Sequence, residues 1–237
     1  APLQVVVNGH SVAVLMRTPG DDEELAVGFL WTEGIISRGD QVLKVDLATK
    51  ENHALVFLDD GVEVDLNRLT RHLFSASSCG LCGKASIDAI TSLHEPVPDG
   101  PSFPESSLLE APSFLRSAQA TFEKTGGLHA SGIFSREGSL LALREDVGRH
   151  NALDKLLGWA LLNGQDLSEN FVIMSGRLSF ELMQKALAGR LPLVAGISAP
   201  SSLAVEFARE SNQTLLGFLR APHYNVYAGL ERVVSGC

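Results

Sequence analysis

Beyond residue 112 the sequence alternates helix-length and strand-length apolar segments, and this alternation restricts the fold more than any other feature. A helix over 112–124 leads into strands over 130–135 and 139–144, then a helix over 149–162. Strand 171–174, helix 179–188, strand 193–197, helix 201–210 and strand 214–219 follow. An antiparallel hairpin feeding βαβαβ units predicts an α/β chain (α+β overall) whose larger part is a three-layer α/β/α domain with a mixed sheet. Such sheets take ligands beyond the carboxyl ends of their parallel strands. That rule places Ser175-Gly176-Arg177, the run from Ser198 to Ser201, and the run from Arg220 to His223 on one rim.

The first third reads differently. Apolar runs on either side of Asn8-Gly9 predict a hairpin over residues 4–17. The acidic run from Asp21 to Glu24 marks the start of a helix through Trp31 that Gly34 ends. Short alternating strands are expected over 42–47, 54–58 and 62–66. Prolines at 96, 98, 101, 104 and 112 interrupt any regular element. The organisation expected is therefore a small α+β unit over 1–95, a proline-rich linker over 96–111, and the α/β/α domain over 112–237.

Lys and Arg number 19 against 28 Asp and Glu, a formal net charge of −9, which excludes general attraction for nucleic acid or an anionic membrane. An anionic ligand then needs a local basic site. No apolar run reaches the roughly eighteen residues of a membrane span, and the opening Ala1-Pro2-Leu3 predicts no signal peptide. The three cysteines, Cys79, Cys82 and Cys237, form no disulfide framework. Their odd number predicts a reduced, cytoplasmic protein.

Two of them lie in Ser77-Ser78-Cys79-Gly80-Leu81-Cys82-Gly83, before an expected helix over 84–93. A thiol near a helix N-terminus and beside Lys84 or Arg71 has a lowered pKa and is nucleophilic. A group-carrying thiol is one reading of the motif. A zinc site drawing on His72 and His94, a disulfide switch, or an inert turn are the others, and the residues alone leave them open.

A second constellation joins Thr125-Gly126-Gly127-Leu128-His129-Ala130 to the run from Arg144 to Lys155. Glycines let backbone amides approach a ligand, and Gly148-Arg149-His150-Asn151 sits where a strand turns into a helix, which suits phosphate. Asp146, Arg149 and Asp154 pairing on the surface is the alternative. No G-x-S-x-G elbow is present. His129-Ala130-Ser131 lacks the acidic residue of a zinc deaminase, and no P-C-x-x-C follows.

Five segments in order resemble the FdhD family of formate dehydrogenase accessory sulfurtransferases: Cys79 to Gly83, Thr125 to Ala130, Arg144 to Lys155, Ser175 to Glu181 and Ser198 to Ala204. The resemblance runs from about Leu25 to Tyr227 and implies a core similar to cytidine deaminase. It implies that Cys79 carries a persulfide received from a cysteine desulfurase, with Cys82 its partner. It also implies that the sulfur passes to the molybdenum of bis(molybdopterin guanine dinucleotide), used by the formate dehydrogenase catalytic subunit, in a homodimeric protein. A guanine nucleotide is expected to mimic that cofactor. The family's cofactor segment corresponds to Phe218, Leu219, Arg220, Ala221, Pro222 and His223, although the family has glycine where Ala221 and Pro222 stand. Gly127, His129, Arg149, His150, Ser175, Gly176, Arg177 and Ser198 are expected around the cofactor, with Asp146 or Asp154 accepting guanine N–H bonds. Cys237 matches no family motif.

Overall fold

The computed structural model describes residues 1–62 and 94–235. The expected strand over 62–66, the helix over 84–93, Cys79, Cys82 and Cys237 lie outside the described residues, apart from Val62.

The N-terminal hairpin forms as its alternation requires, with β1 (Pro2–Val7) and β2 (His10–Met16) joined through Asn8-Gly9, both at positive φ. With β3 (Val42–Asp46) and β4 (His53–Leu58) they make a sheet of order β2-β1-β4-β3, in which β1 and β4 run parallel. Helix α1 (Asp22–Thr32) lies on this sheet. Its residues from Leu25 to Leu30 are all buried, which marks a helix covered on every side.

The second cover is α4 (Arg149–Leu162), and the two helices cross in backbone contact. A Cβ added to Gly28 would lie 1.8 Å from the Asp154 carbonyl oxygen, and one added to Gly158 would lie 1.9 Å from the Glu24 carbonyl oxygen. Only glycine on both helices permits this approach.

The larger sheet has the order β11-β10-β9-β8-β6-β7. It contains β6 (His129–Phe134), β7 (Leu140–Asp146), β8 (Phe171–Met174), β9 (Leu193–Gly196), β10 (Thr214–Arg220) and β11 (His223–Ala228). Strands β8, β9 and β10 are parallel, and the others pair antiparallel. Alternation along β8 divides the core: Val172 and Met174 pack with α4, α5 (Phe180–Ala188) and α6 (Ser202–Glu210), whereas Phe171 and Ile173 face α2 (Glu105–Ala118). The result is the mixed α/β architecture expected, with helices on both faces of a mixed sheet.

Three expectations need correction. The proline-rich stretch is not free of regular structure up to residue 111. Strand β5 (Phe103–Pro104) pairs with β12 (Val233–Val234), and α2 starts at Glu105 with Pro112 in its interior. Leu108, Ala111 and Leu115 recur at helical spacing and are fully buried, so their burial outweighs the backbone hydrogen bond that Pro112 cannot make. The stretch is also pinned to the larger sheet's end, with Val97 N–H donating to the Ser211 carbonyl at 2.9 Å. The helix expected over 112–124 is two helices, α2 and the short α3 (Ala120–Thr125). Finally, the segment after Arg220 is strand β11 rather than a loop, joined to β10 through Ala221 and Pro222.

Candidate functional site

A cavity of about 700 Å³ opens at the carboxyl ends of β8, β9 and β10, where the sheet topology predicts a ligand. Beneath it lie Ser175 after β8, Ile197 after β9, and Leu219, Arg220 and Ala221 at the end of β10. One wall is α2, through Leu109, Pro112, Leu115 and Arg116, and the other is the loop Gly126-Gly127-Leu128-His129 that enters β6. Because β6 runs antiparallel to β8, its first residue reaches the same rim where β8 ends.

Local conformation fixes these groups. Gly126 caps α3 at φ 66, a left-handed position that favours glycine. The Ser175 hydroxyl accepts from the Ala130 N–H at 2.9 Å, tying β8 to the entry of β6. Gly176 is buried, and a Cβ there would meet His129 Nδ1 at 3.2 Å and Arg149 Cδ at 3.6 Å. Its glycine thus lets the His129 ring and the Arg149 stem share one space. Burial and then the Arg149 charge hold the His129 pKa below its ordinary value, so the ring is neutral at neutral pH. Arg149 opens α4, and its Nε is buried without a partner among the described residues.

His150 lies one residue deeper. Burial, reinforced by Arg149 and Lys185, pushes its pKa down to about 4, and its Nε2 is 3.5 Å from the Ser179 hydroxyl. Phe218 sits exposed at φ 52, its N–H held by the Ser198 carbonyl at 3.1 Å. Positive φ is uncommon for a bulky side chain and marks local strain. Leu219 is buried, whereas Arg220, Ala221, Pro222 and His223 are exposed on the hairpin.

Of the residues expected from sequence, Gly127, His129, Ser175, Leu219, Arg220 and Ala221 line the cavity, and Gly176 and Arg149 back His129. Arg177, Ser198, Phe218, Pro222 and His223 occupy the same rim outside the lining.

Asp146 and Asp154 are not available as guanine acceptors. Asp146 is fully buried 2.9 Å from Lys155 Nζ and accepts from the backbone N–H of Thr18 and Gly148 and from the Asn151 amide. Asp154 accepts from Lys185 Nζ at 3.0 Å and from the Thr32 hydroxyl at 2.8 Å. Asp146 at the end of β7 and Asp154 and Lys155 on α4 are buried, so these charges must pair within the protein. Neither ligand binding nor surface pairing describes them.

Sequence reasoning missed the α2 wall and Phe122, over whose ring the Arg116 guanidinium stacks at 4.3 Å. Pro112, read as a helix start, concealed the preceding two turns. Among the described residues no helix is long and apolar enough to cross a membrane.

The fold and this cavity define a mixed α/β protein with a concave site at the carboxyl ends of its parallel strands. Residues 1–234 match the model of the FdhD/NarQ family. A protein named sulfur carrier protein FdhD from Streptomyces avermitilis is 47% identical, with 98% of this chain and 86% of that protein aligned. The protein of the same name from Sulfolobus acidocaldarius is 39% identical, over 98% of this chain and 88% of its own length. The crystal structure of a formate dehydrogenase accessory protein from Desulfotalea psychrophila superposes with a TM-score of 0.79 at 24% identity, covering 99% of this chain and 89% of that one. The chain belongs to the FdhD/NarQ family.

Proposed function

We propose that the protein is a cytoplasmic sulfur carrier that accepts persulfide sulfur on Cys79 from a cysteine desulfurase. It passes that sulfur to the molybdenum of bis(molybdopterin guanine dinucleotide) for formate dehydrogenase. The observation that carries this reading is the cavity, in a chain whose relatives are named sulfur carrier proteins and whose sequence holds Cys79 and Cys82.

In the loading step the Cys79 thiolate attacks the outer sulfur of the donor's persulfide. A new S–S bond forms, the donor bond breaks, and the donor cysteine leaves as a thiolate. On delivery the S–S bond of the persulfide breaks, Cys79 keeps its electron pair and is regenerated as a thiolate, and the outer sulfur leaves at the sulfane level to bond with an acceptor that supplies two electrons; Cys82 is the second thiol of the C-x-x-C sequence.

The cofactor is the substrate of this transfer. A cavity of about 700 Å³ lies within the range of small-molecule sites, roughly 300–1,000 Å³. That suits one nucleotide arm rather than the whole bis-dinucleotide. Leu109, Leu115, Leu128 and Ile197 offer apolar surface to a base, while Arg220 and the Gly127 amide face phosphate; the Gly126 amide is taken by the Phe122 carbonyl at 2.7 Å. Neutral His129 contributes a donor and an acceptor without another charge.

Titration calorimetry with GDP tests the site. A dissociation constant in the micromolar range or weaker, about −8 kcal/mol at the tight end, is expected, with a large loss for Arg220→Ala. No heat from GDP would remove the nucleotide assignment. A cofactor chaperone without sulfur chemistry, or a thiol oxidoreductase, would instead leave Cys79 without a persulfide. Complementation of a deletion strain separates the chaperone, since Cys79→Ala is expected to abolish formate dehydrogenase activity only if the thiol is required, and the mass of the loaded peptide separates the oxidoreductase.

A further inference from the structure

We propose that Arg116 is a ligand-binding residue of the cavity, forming with Arg220 a two-sided clamp for the pyrophosphate of a nucleoside diphosphate. The inference deepens the nucleotide reading above and rests on it. Arg116 belongs to none of the sequence segments that pointed to a ligand.

Both guanidiniums line the cavity but come from different sides, Arg116 from the last turn of the α2 wall and Arg220 from the end of β10 beneath. Among the described residues neither has a carboxylate within ion-pair distance, whereas Arg17, Arg38 and Arg144 each do. Two uncompensated cations flanking one concavity repel each other and favour an anion between them. Pyrophosphate offers oxygens to both forks at once, which suits the planar, multiply donating arginine.

The clamp is also preorganised. The Arg116 guanidinium rests at 4.3 Å over the Phe122 ring, which limits its freedom without consuming its N–H donors. Phe122 is itself fixed, because its backbone N–H donates to the Glu145 carboxylate at 2.9 Å. The α2 wall is tied to the β10–β11 hairpin by the Tyr224 hydroxyl of β11, which donates to the Glu105 carboxylate at the start of α2 at 2.7 Å. Loss of this tie would let the arginines separate.

A cation in the last turn of a helix also offsets the helix dipole. That effect acts on stability and does not alter the affinity for a free anion, so binding measurements separate the two roles. The test is calorimetry on the full chain with inorganic pyrophosphate, GDP and guanosine, using the wild type, Arg116→Ala and Arg116→Lys. Arg116→Ala is expected to weaken pyrophosphate and GDP at least tenfold and guanosine less than twofold. Arg116→Lys is expected to fall between, since it keeps charge but not the flat fork over Phe122. Pyrophosphate affinity unchanged in Arg116→Ala, guanosine lost in parallel with GDP, or a wild type that binds no pyrophosphate would overturn the clamp. A wild type that binds pyrophosphate through Arg116 but not guanosine would support the clamp while removing the guanine reading.

Discussion

Lys185 and Asp154 meet 3.0 Å apart in a seam almost closed to water, with side chains 9% and 3% exposed. Lys185 on α5 also reaches the Thr32 hydroxyl at 2.8 Å and the Glu33 carboxylate at 3.0 Å, so one ammonium joins α5, α4 and the end of α1. Burial alone would lower the Lys185 pKa, but Asp154 and Glu33 outweigh it and hold it up at about 12. Lys185 is therefore an ammonium at neutral pH, whereas burial holds the Asp154 pKa above its ordinary value against the pull of Lys185 and the Thr32 hydroxyl.

Removing one member strands the other charge, and Lys185→Met is expected to cost about 3–5 kcal/mol. Replacing both, with Asp154→Leu added, is expected to recover much of that loss because no buried charge remains. Denaturant titration of the two variants checks the order. A single variant as stable as wild type would contradict the pairing.

Gly28→Ala forces α1 off α4, since the new methyl carbon would fall 1.8 Å from backbone. Overpacking of this kind costs about 1–3 kcal/mol or more. For a chain of this size each kcal/mol lowers Tm by about 2–4 °C. Calorimetric melting of Gly28→Ala should therefore show a fall of several degrees, whereas Gly100→Ala, whose added carbon would meet only the Pro98 carbonyl oxygen at an ordinary 3.6 Å, has no such clash.

His150 links pH to stability. Its folded pKa of about 4 lies below the ordinary 6.5, chiefly because the ring is buried and then because of the Arg149 and Lys185 charges, against the opposing Glu181 and Glu33. Between those pH values the unfolded chain takes up a proton that the folded chain refuses. Stability from this group is complete above about 6.5 and declines as pH falls toward 4, by at most about 1.4 kcal/mol per unit. His150→Gln should flatten this part of a stability-against-pH curve. Equal slopes for the two proteins would contradict it.

The regular elements were legible where an apolar run of the right length is closed by turn residues. Residues 149–162 and 171–174 were readable to their ends because apolar spacing and flanking turns agree. The seam was not, because Asp146 and Asp154 are paired by residues distant in sequence, among them Thr18, Thr32 and Lys185. Nothing local distinguishes such a carboxylate from a ligand. Strand β11 escaped notice because Ala221-Pro222 reads as a loop and His223, Tyr224 and Asn225 carry no apolar alternation. The α2 wall of the cavity was missed for a related reason: α2 is set by the packing of its Leu108, Ala111 and Leu115 in one cluster with Phe103, within a stretch whose prolines argue against a helix.

The central claim is that sulfur is carried on Cys79. Intact-protein and peptide mass spectrometry, after incubation of the full chain with a cysteine desulfurase and cysteine, tests it most directly. The account predicts one added sulfur on the peptide containing Cys79, absent in Cys79→Ala and discharged when cofactor and formate dehydrogenase are supplied. An unmodified peptide, or only a reversible Cys79–Cys82 disulfide, would contradict it.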